Sequence, residues 1–600
     1  MRRAVAWSCA VALILALAAC GFVRWPLSAA KVGDSLNAAL GPSPRLHWSA
    51  PQAATFSVLP WPSLRIVDAR LDDAGGVNLL LAPTARLDLS LVELARGRFI
   101  TTRAVLVSPT VTLDIDRLPF ASPAAAGLAQ PPSVAGALAP LTSLSLTNGF
   151  LRVVGARRGL DTLIANVQGR LDGLTVGDQL RFNLSADWRN APIAIAGSLS
   201  DPEAAATGAP SRFEFALDSP IAKFAFDGAL ALGDKPSAEG DMNGSVPSIA
   251  ALTALLNAER PRFLASDDIA ISGKIKATPD TLTLGEATLT SAEQTFEGAI
   301  EIAGLGGRAA VSGTLAAETL ALEPLLGPPQ RLFDESGGWS AKPFALTPPQ
   351  AFDLDLRLSA SRLDVYGAKL ADAAASLIVR DGKLSMSLID AAAYGGRLKG
   401  EATLTCVGED LKLNARGELT DADLGAALAD FSRPEATGRG AARFSIETSG
   451  VSPAAAVAAL SGTAALEAAD GGIVGVNLEE ALRRSQRRPV DVARDMRLGG
   501  TAFDKLAVSL SFDDGRARIE RGAMTSRGVG AGLEGLVDLV AQRWALRLNA
   551  VQTDAAGEES QNAARLALDI DGPWSAPMVR SIGGDDGTGP GGEPQTPPAR

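Results

Sequence analysis

Catalysis needs groups that titrate near neutrality, bind metals or attack electrophiles, and this chain is poor in all of them. It contains one histidine, His47, two tyrosines, Tyr366 and Tyr394, and three cysteines, Cys9, Cys20 and Cys406. His47 sits between Leu46 and Trp48, the setting of a packed or interfacial imidazole rather than of a general base. No G-x-S-x-G elbow accompanies it, and no Cys/His spacing suited to a metal occurs. Acid pairs occur at Asp72-Asp73, Asp267-Asp268, Asp513-Asp514 and Asp585-Asp586. Neighbouring side chains on a strand face opposite ways, so none of these is a dyad by itself; solvated turns account for them. Gly530-Ala531-Gly532-Leu533-Glu534-Gly535 fits G-x-G-x-x-G. Dinucleotide chemistry requires a helix after that motif, whereas Leu536–Val540 reads as another strand. No Walker A motif supplies an energy source. The expectation is a protein without catalytic residues, cofactor or metal.

Composition narrows the partners. The chain has 600 residues, 46% hydrophobic and 20% charged, so it is not a disordered polymer. Its net charge of -11 lacks the basic footprint that duplex nucleic acid demands. Arg483, Arg484, Arg487 and Arg488 cluster on a polar helical segment, Leu478 to Arg488. They could meet anionic headgroups or form a solvated helix C-terminus. Only Cys406 lies in the body of the chain, so no disulfide can staple it from within.

The N-terminus carries the compartment signal. After Arg2 and Arg3, residues 4–23 run without a charge. Twenty residues as a helix rise roughly 30 Å, enough to cross a bilayer core, and the two arginines favour a cytoplasmic start. Residues 1–24 are therefore expected to be a single transmembrane anchor in the inner membrane, with the body in the periplasm. Leu17-Ala18-Ala19-Cys20 also fits a lipobox, which would make Cys20 a lipidated residue and the protein a lipoprotein.

The elements that would position any surface are strands. Apolar and polar residues alternate in Ala85–Leu91, Val111–Asp116, Ile193–Leu199, Ile269–Ile275, Phe352–Leu358, Leu506–Leu510 and Trp544–Leu548, and in the pairs Phe213/Phe215 and Phe224/Phe226. Asn148-Gly149, Asp381-Gly382 and Asp514-Gly515 read as turns. About 25 to 30 strands are expected, and open sheets seldom exceed about ten without curling or splitting. Glycines inside the strands, among them Gly197, Gly228 and Gly417, permit bends. The predicted fold class is mainly β: an elongated, curled antiparallel β-sheet groove with a few short helices and one N-terminal transmembrane helix. Short helices are expected at Val32–Leu40, Ile249–Ala258, Asp423–Phe431 and Pro453–Leu460. The organisation reads as a segment over 25–118, a Pro/Ala-rich loop over 119–142 and a middle β region over 143–326. A Pro-rich loop over 327–350, a C-terminal β region over 351–580 and a disordered tail over 581–600 follow.

Ordered motifs add a resemblance. Pro60-Trp61-Pro62-Ser63-Leu64-Arg65-Ile66 leads through Ala82-Pro83 to Pro109-Thr110-Val111. Later come Asp381-Gly382-Lys383-Leu384, Ala393-Tyr394-Gly395-Gly396, Leu460-Ser461-Gly462 and Gly471 to Leu478. Thr501-Ala502-Phe503-Asp504, Gly530-Ala531-Gly532 and Gly572-Pro573-Trp574 close the series. In that order, behind an anchor, they resemble the AsmA-like proteins of Gram-negative bacteria. The first segment is similar to the chorein-type start of bridge-like lipid transfer proteins. The resemblance implies a taco-shaped periplasmic groove that conducts phospholipids between inner and outer membranes. It also implies contacts with outer-membrane or envelope proteins.

The physics is compatible with that implication. Strands about 4.8 Å apart would give 25 to 30 of them a span of roughly 120 to 145 Å. A diacyl lipid with roughly 30 methylenes faces on the order of 24 kcal/mol in water. Groove-lining candidates are Leu87, Leu89, Phe213, Phe215, Phe224, Phe226, Ile269, Ile271, Leu354 and Leu356. The alternative is a non-conducting scaffold that assists outer-membrane protein assembly.

Overall fold

Alternating sequences become strands here because one side chain in two can leave water, and the chain repeats that solution throughout. A computed structural model describes residues 23–39, 46–49, 51–73, 78–96, 101–114, 141–155, 160–174, 177–256, 265–305, 307–344, 352–407, 410–430, 436–485, 499–554 and 563–582. Thirty-one strands and a few short helices fall within them, so the fold is mainly β as expected. Residues 4–22 of the hydrophobic run, with Cys9 and Cys20, most of the 119–142 loop and the tail from 583 lie outside the described residues. Among the described residues no helix is long and apolar enough to cross a membrane. The chain forms two compact units, dividing between Ala316 and Ala317.

In the first unit, Trp25–Leu27, Ala53–Ser57, Ser63–Asp73 and Asn78–Leu89 pair antiparallel with their neighbours. Helix Ala29–Ala39 covers their apolar side through Val32 and Leu36, which pack with Ile66, Ala69, Ala82, Ala85 and Leu106. The expected all-antiparallel order fails at one place. Thr101–Val107 and Thr110–Asp114 both run parallel to Ser143–Gly155. A parallel neighbour requires a long crossover, and the chain between Asp114 and Leu141 supplies its length. Asn148-Gly149 also departs from expectation. It lies inside strand Ser143–Gly155, not at a hairpin, and the register shifts around it. The cause is across the ladder: Ser108 and Pro109 interrupt the facing strand. Ser108 N donates to Thr147 O at 2.8 Å, and Phe150 N donates to Pro109 O at 2.6 Å. Asn148, at φ 52°, absorbs the matching kink.

From Leu180–Trp188 to strand Ala309–Ala321 the first unit is a plain antiparallel meander, paired as far as Ala316. Helices Pro202–Ala206 and Ile249–Leu256 sit at strand ends.

The second unit repeats the meander from Phe352–Val365 to Met578–Ile582. Asp381-Gly382 and Asp514-Gly515 are its hairpin turns, with positive φ at both residues (51° and 73°, 43° and 70°), as expected. The G-x-G-x-x-G stretch lies wholly within strand Val529–Asp538. The Pro-rich stretch after 327 contributes packing that its composition hides. Trp339 stacks on Phe333 at 4.6 Å between centroids and meets Trp574 edge-on at 6.4 Å. Its Nε1 donates to Leu539 O at 2.7 Å, and Gln542 Nε2 donates to Gly337 O at 3.0 Å.

Candidate functional site

The strongest surface in the first unit is one face of the meander between Leu180 and Ala316. Strand register decides which side chains share it. Phe182 and Phe215 both oppose Gly197, Phe213 opposes Gly228, Phe215 opposes Phe226, and Phe226 opposes Met242. The face continues through Gly244 to Ile271, and through Ile275 to Leu284. Four of its rings form a chain: Phe213 lies 6.1 Å from Phe215 and 5.9 Å from Phe226, and Phe215 lies 5.9 Å from Phe224. Phe182 extends it, 6.5 Å from Phe215 across Gly197. Glycine is needed there because a Cβ on Gly197 would lie 2.4 Å from Phe182 Cζ.

The opposite face is charged. Arg212 pairs with Asp227 at 3.1 Å, Lys223 with Asp218 at 3.3 Å, Lys274 with Glu286 at 2.8 Å and Lys276 with Glu239 at 3.6 Å. The Glu286 carboxylate raises the Lys274 ammonium above its ordinary range. Exposed pairs of this kind add little to stability; the row matters because it fixes which side faces water.

The apolar side has no comparable cover. Phe226, Met242, Ile275, Leu284 and Ala287 are buried by their neighbours in the sheet, whereas Phe213, Phe215, Phe224 and Ile271 stay half-buried. Among the described residues no helix side chain belongs to this cluster; helix Pro202–Ala206 meets the ends of two of the strands, and Arg189, in the turn after strand Leu180–Trp188, donates to Leu255 O of helix Ile249–Leu256 at 2.7 Å. A one-sided sheet of this kind can shelter hydrocarbon. Among the described residues no three His, Cys, Asp or Glu side chains gather to hold a metal.

The second unit has its own open stretch. Leu354 opposes Val379 and Leu356 opposes Leu377, and Leu377 in turn opposes Met386. The same face includes Leu404 and Cys406, then Phe444, which opposes Gly417. Met386 is 40% and Phe444 44% exposed. Cys406 is half-buried and not in a disulfide; burial pushes its thiol pKa up.

Residues 335–521 match the model of the AsmA family. The protein is AsmA-like over that stretch. No curated protein and no solved structure matches the chain. The matched segment takes in Trp339, the open face from Leu354 to Phe444, and helix Leu478–Ser485. The motifs from Pro60 to Val111 fall outside it.

Of the ten residues singled out from the sequence, the structure gathers Phe213, Phe215, Phe224, Phe226 and Ile271 into one cluster. Ile269 lies two residues from Ile271 on the same strand face, half-buried opposite Val246. Leu354 and Leu356 share the second unit's face and are half-buried. Leu87 packs against the cluster that helix Ala29–Ala39 covers, and Leu89 is buried. Sequence reasoning passed over Phe182, Met242, Ile275 and Leu284; the alternation Leu180-Phe182-Leu184 was the signal for the first. It also gives Leu478 to Arg488 only as a polar helix, of which Leu478–Ser485 is the described part. Leu478, Ala481 and Leu482 are buried against Phe503, Met524, Val529, Leu566 and Leu568, while Arg483 and Arg484 both pair with Glu480 on the outer side. Arg487 and Arg488 lie outside the described residues.

Proposed function

We propose that this AsmA-like protein holds phospholipids by their acyl chains and conducts them between the inner and outer membranes. Each sheet curls into a groove around the lipid tails, and the run at 4–23 anchors the chain in the inner membrane. The observation that carries this reading is the half-buried phenylalanine face from Phe182 to Phe226. It is apolar on one side and charged on the other, and no described helix residue belongs to its cluster. Roughly 0.8 kcal/mol per methylene favours laying a chain on such a face over leaving it in water. Register shifts between Ser272 and Lys274 and between Leu284 and Ala287 are bulges of the kind that bend a sheet. The match of residues 335–521 to the AsmA family model supports a role in envelope biogenesis.

The experiment is mass spectrometry of lipid retained by the purified full chain. The expected result is co-purifying phospholipid that Phe215→Asp depletes at unchanged protein yield. A chain free of phospholipid, or one whose lipid is indifferent to Phe215→Asp, contradicts the proposal and favours a scaffold that carries none.

A further inference from the structure

One end of the first strands carries a cluster of exposed apolar side chains that the fold itself does not use. Strand pairing sets the end. Ser57 opposes Ser63, Ser63 opposes Asp88, and Trp25 opposes Phe56. The Val58–Pro62 connection, the start of the chain's first strand and helix Leu91–Ala95 therefore share one edge. Leu89 N donates to Pro62 O at 2.8 Å and fastens two of these segments together. Val23, Trp25, Val58, Trp61, Leu91 and Val92 are exposed there, Trp61 and Val92 each to 60%. Ser90 caps the short helix by accepting from Glu93 N at 3.4 Å, which holds Leu91 and Val92 outward. The far ends of the same strands keep their apolar side chains packed instead: Trp48 and Leu80 lie against the core that helix Ala29–Ala39 covers, and Ser49 donates to Asp72.

We infer that this edge is a membrane seat, with Trp25, Trp61, Leu91 and Val92 resting in the interfacial layer of the bilayer that residues 4–23 enter. The occupant follows from where that run ends. The uncharged stretch stops at Val23, and Trp25 is two residues on, within about 7 Å of chain. Whatever solvates the run therefore reaches this edge. Two tryptophans among aliphatic residues, flanked by Arg24 and by Arg96 beside Glu93, form the mixture that interfaces favour. In water an apolar cluster of this kind has no compensating partner. The seat rests on the reading that residues 4–23 lie in a bilayer, and it adds that the sheet's first edge touches that bilayer.

The test uses the full chain with Cys9, Cys20 and Cys406 changed to Ser, reconstituted into vesicles of phosphatidylethanolamine and phosphatidylglycerol. An environment-sensitive fluorophore is placed at Trp61→Cys, at Val92→Cys or, as a control on the first unit's polar face, at Thr314→Cys. All three positions are exposed, so labelling leaves packing intact. The expected result is a blue shift and loss of emission from 61 and 92 with lipid-borne quencher, and none from 314. Labels at 61 and 92 that respond only to aqueous iodide overturn the seat. So does a blue shift that appears without lipid and grows with protein concentration, which would assign the edge to a second copy. Flotation separates the two claims. A chain that floats while its labels stay wet loses the seat alone; a chain that does not float loses the anchor and the seat together.

Discussion

The phenylalanine face of the first unit and the core beneath helix Leu478–Ser485 of the second are built from the same kind of strand but end differently. Both come from alternating meanders with charged outer faces. In the second unit a helix of eight residues, Leu478–Ser485, lies on the apolar side, and Leu568 and Val529 become fully buried (0% exposed). Asn477 and Thr501 hold that helix in place: Glu480 N donates to Asn477 Oδ1 at 3.0 Å, and Leu478 N donates to Thr501 Oγ1 at 2.9 Å. On the first unit's phenylalanine face no described helix joins the cluster, and Phe213, Phe215 and Phe224 stay half-buried. Alternation decides which side of a sheet is oily. A covering element decides whether that side becomes a core or a binding surface.

The comparison can be broken by truncating one residue on each side. Leu482→Ala removes a fully packed side chain and is expected to cost about 2–5 kcal/mol. Hydrogen exchange of amides in Gly500–Asp513 and Arg565–Pro573 checks it. Phe215→Ala takes a half-exposed ring from an uncovered face and is expected to cost about 1 kcal/mol, read in strand Lys223–Ala231. Equal costs at the two sites would mean that the first unit's face is as closed as the second's core.

The smallest effect concerns Cys406, on the open face of the second unit. Burial raises its thiol pKa. Since only the thiolate reacts, the raised value leaves less of it at neutral pH and shifts alkylation to more alkaline conditions. Peptide-resolved maleimide labelling across pH, with a small free thiol as reference, should show slower reaction at pH 7 and a midpoint above the reference. A midpoint at or below the reference contradicts this environment.

The legibility of the fold follows the range of its interactions. Strands such as Ile193–Leu199 and Phe352–Leu358 were readable because period-two alternation is local. Asp381-Gly382 was readable because two consecutive positive φ angles favour that dipeptide. Asn148-Gly149 misled because the kink it matches belongs to Pro109, forty residues away in sequence and adjacent only through a parallel pairing. Trp339 gave no signal because its partners, Leu539 and Trp574, come from turns some two hundred residues later. The buried face of Leu478–Ser485 was masked by Glu479, Glu480, Arg483 and Arg484, which dominate its composition while lying on its outer side. The phenylalanine cluster was half legible: each stripe could be seen alone, but which stripes share a face depends on register.

The most direct test of the account is photo-crosslinking in the membrane with a light-activated residue placed at Phe215 and, separately, at Leu482. The account predicts adducts to phospholipid acyl chains at 215 and protein-only adducts at 482. Lipid adducts absent from 215, or as abundant at 482 as at 215, would contradict it.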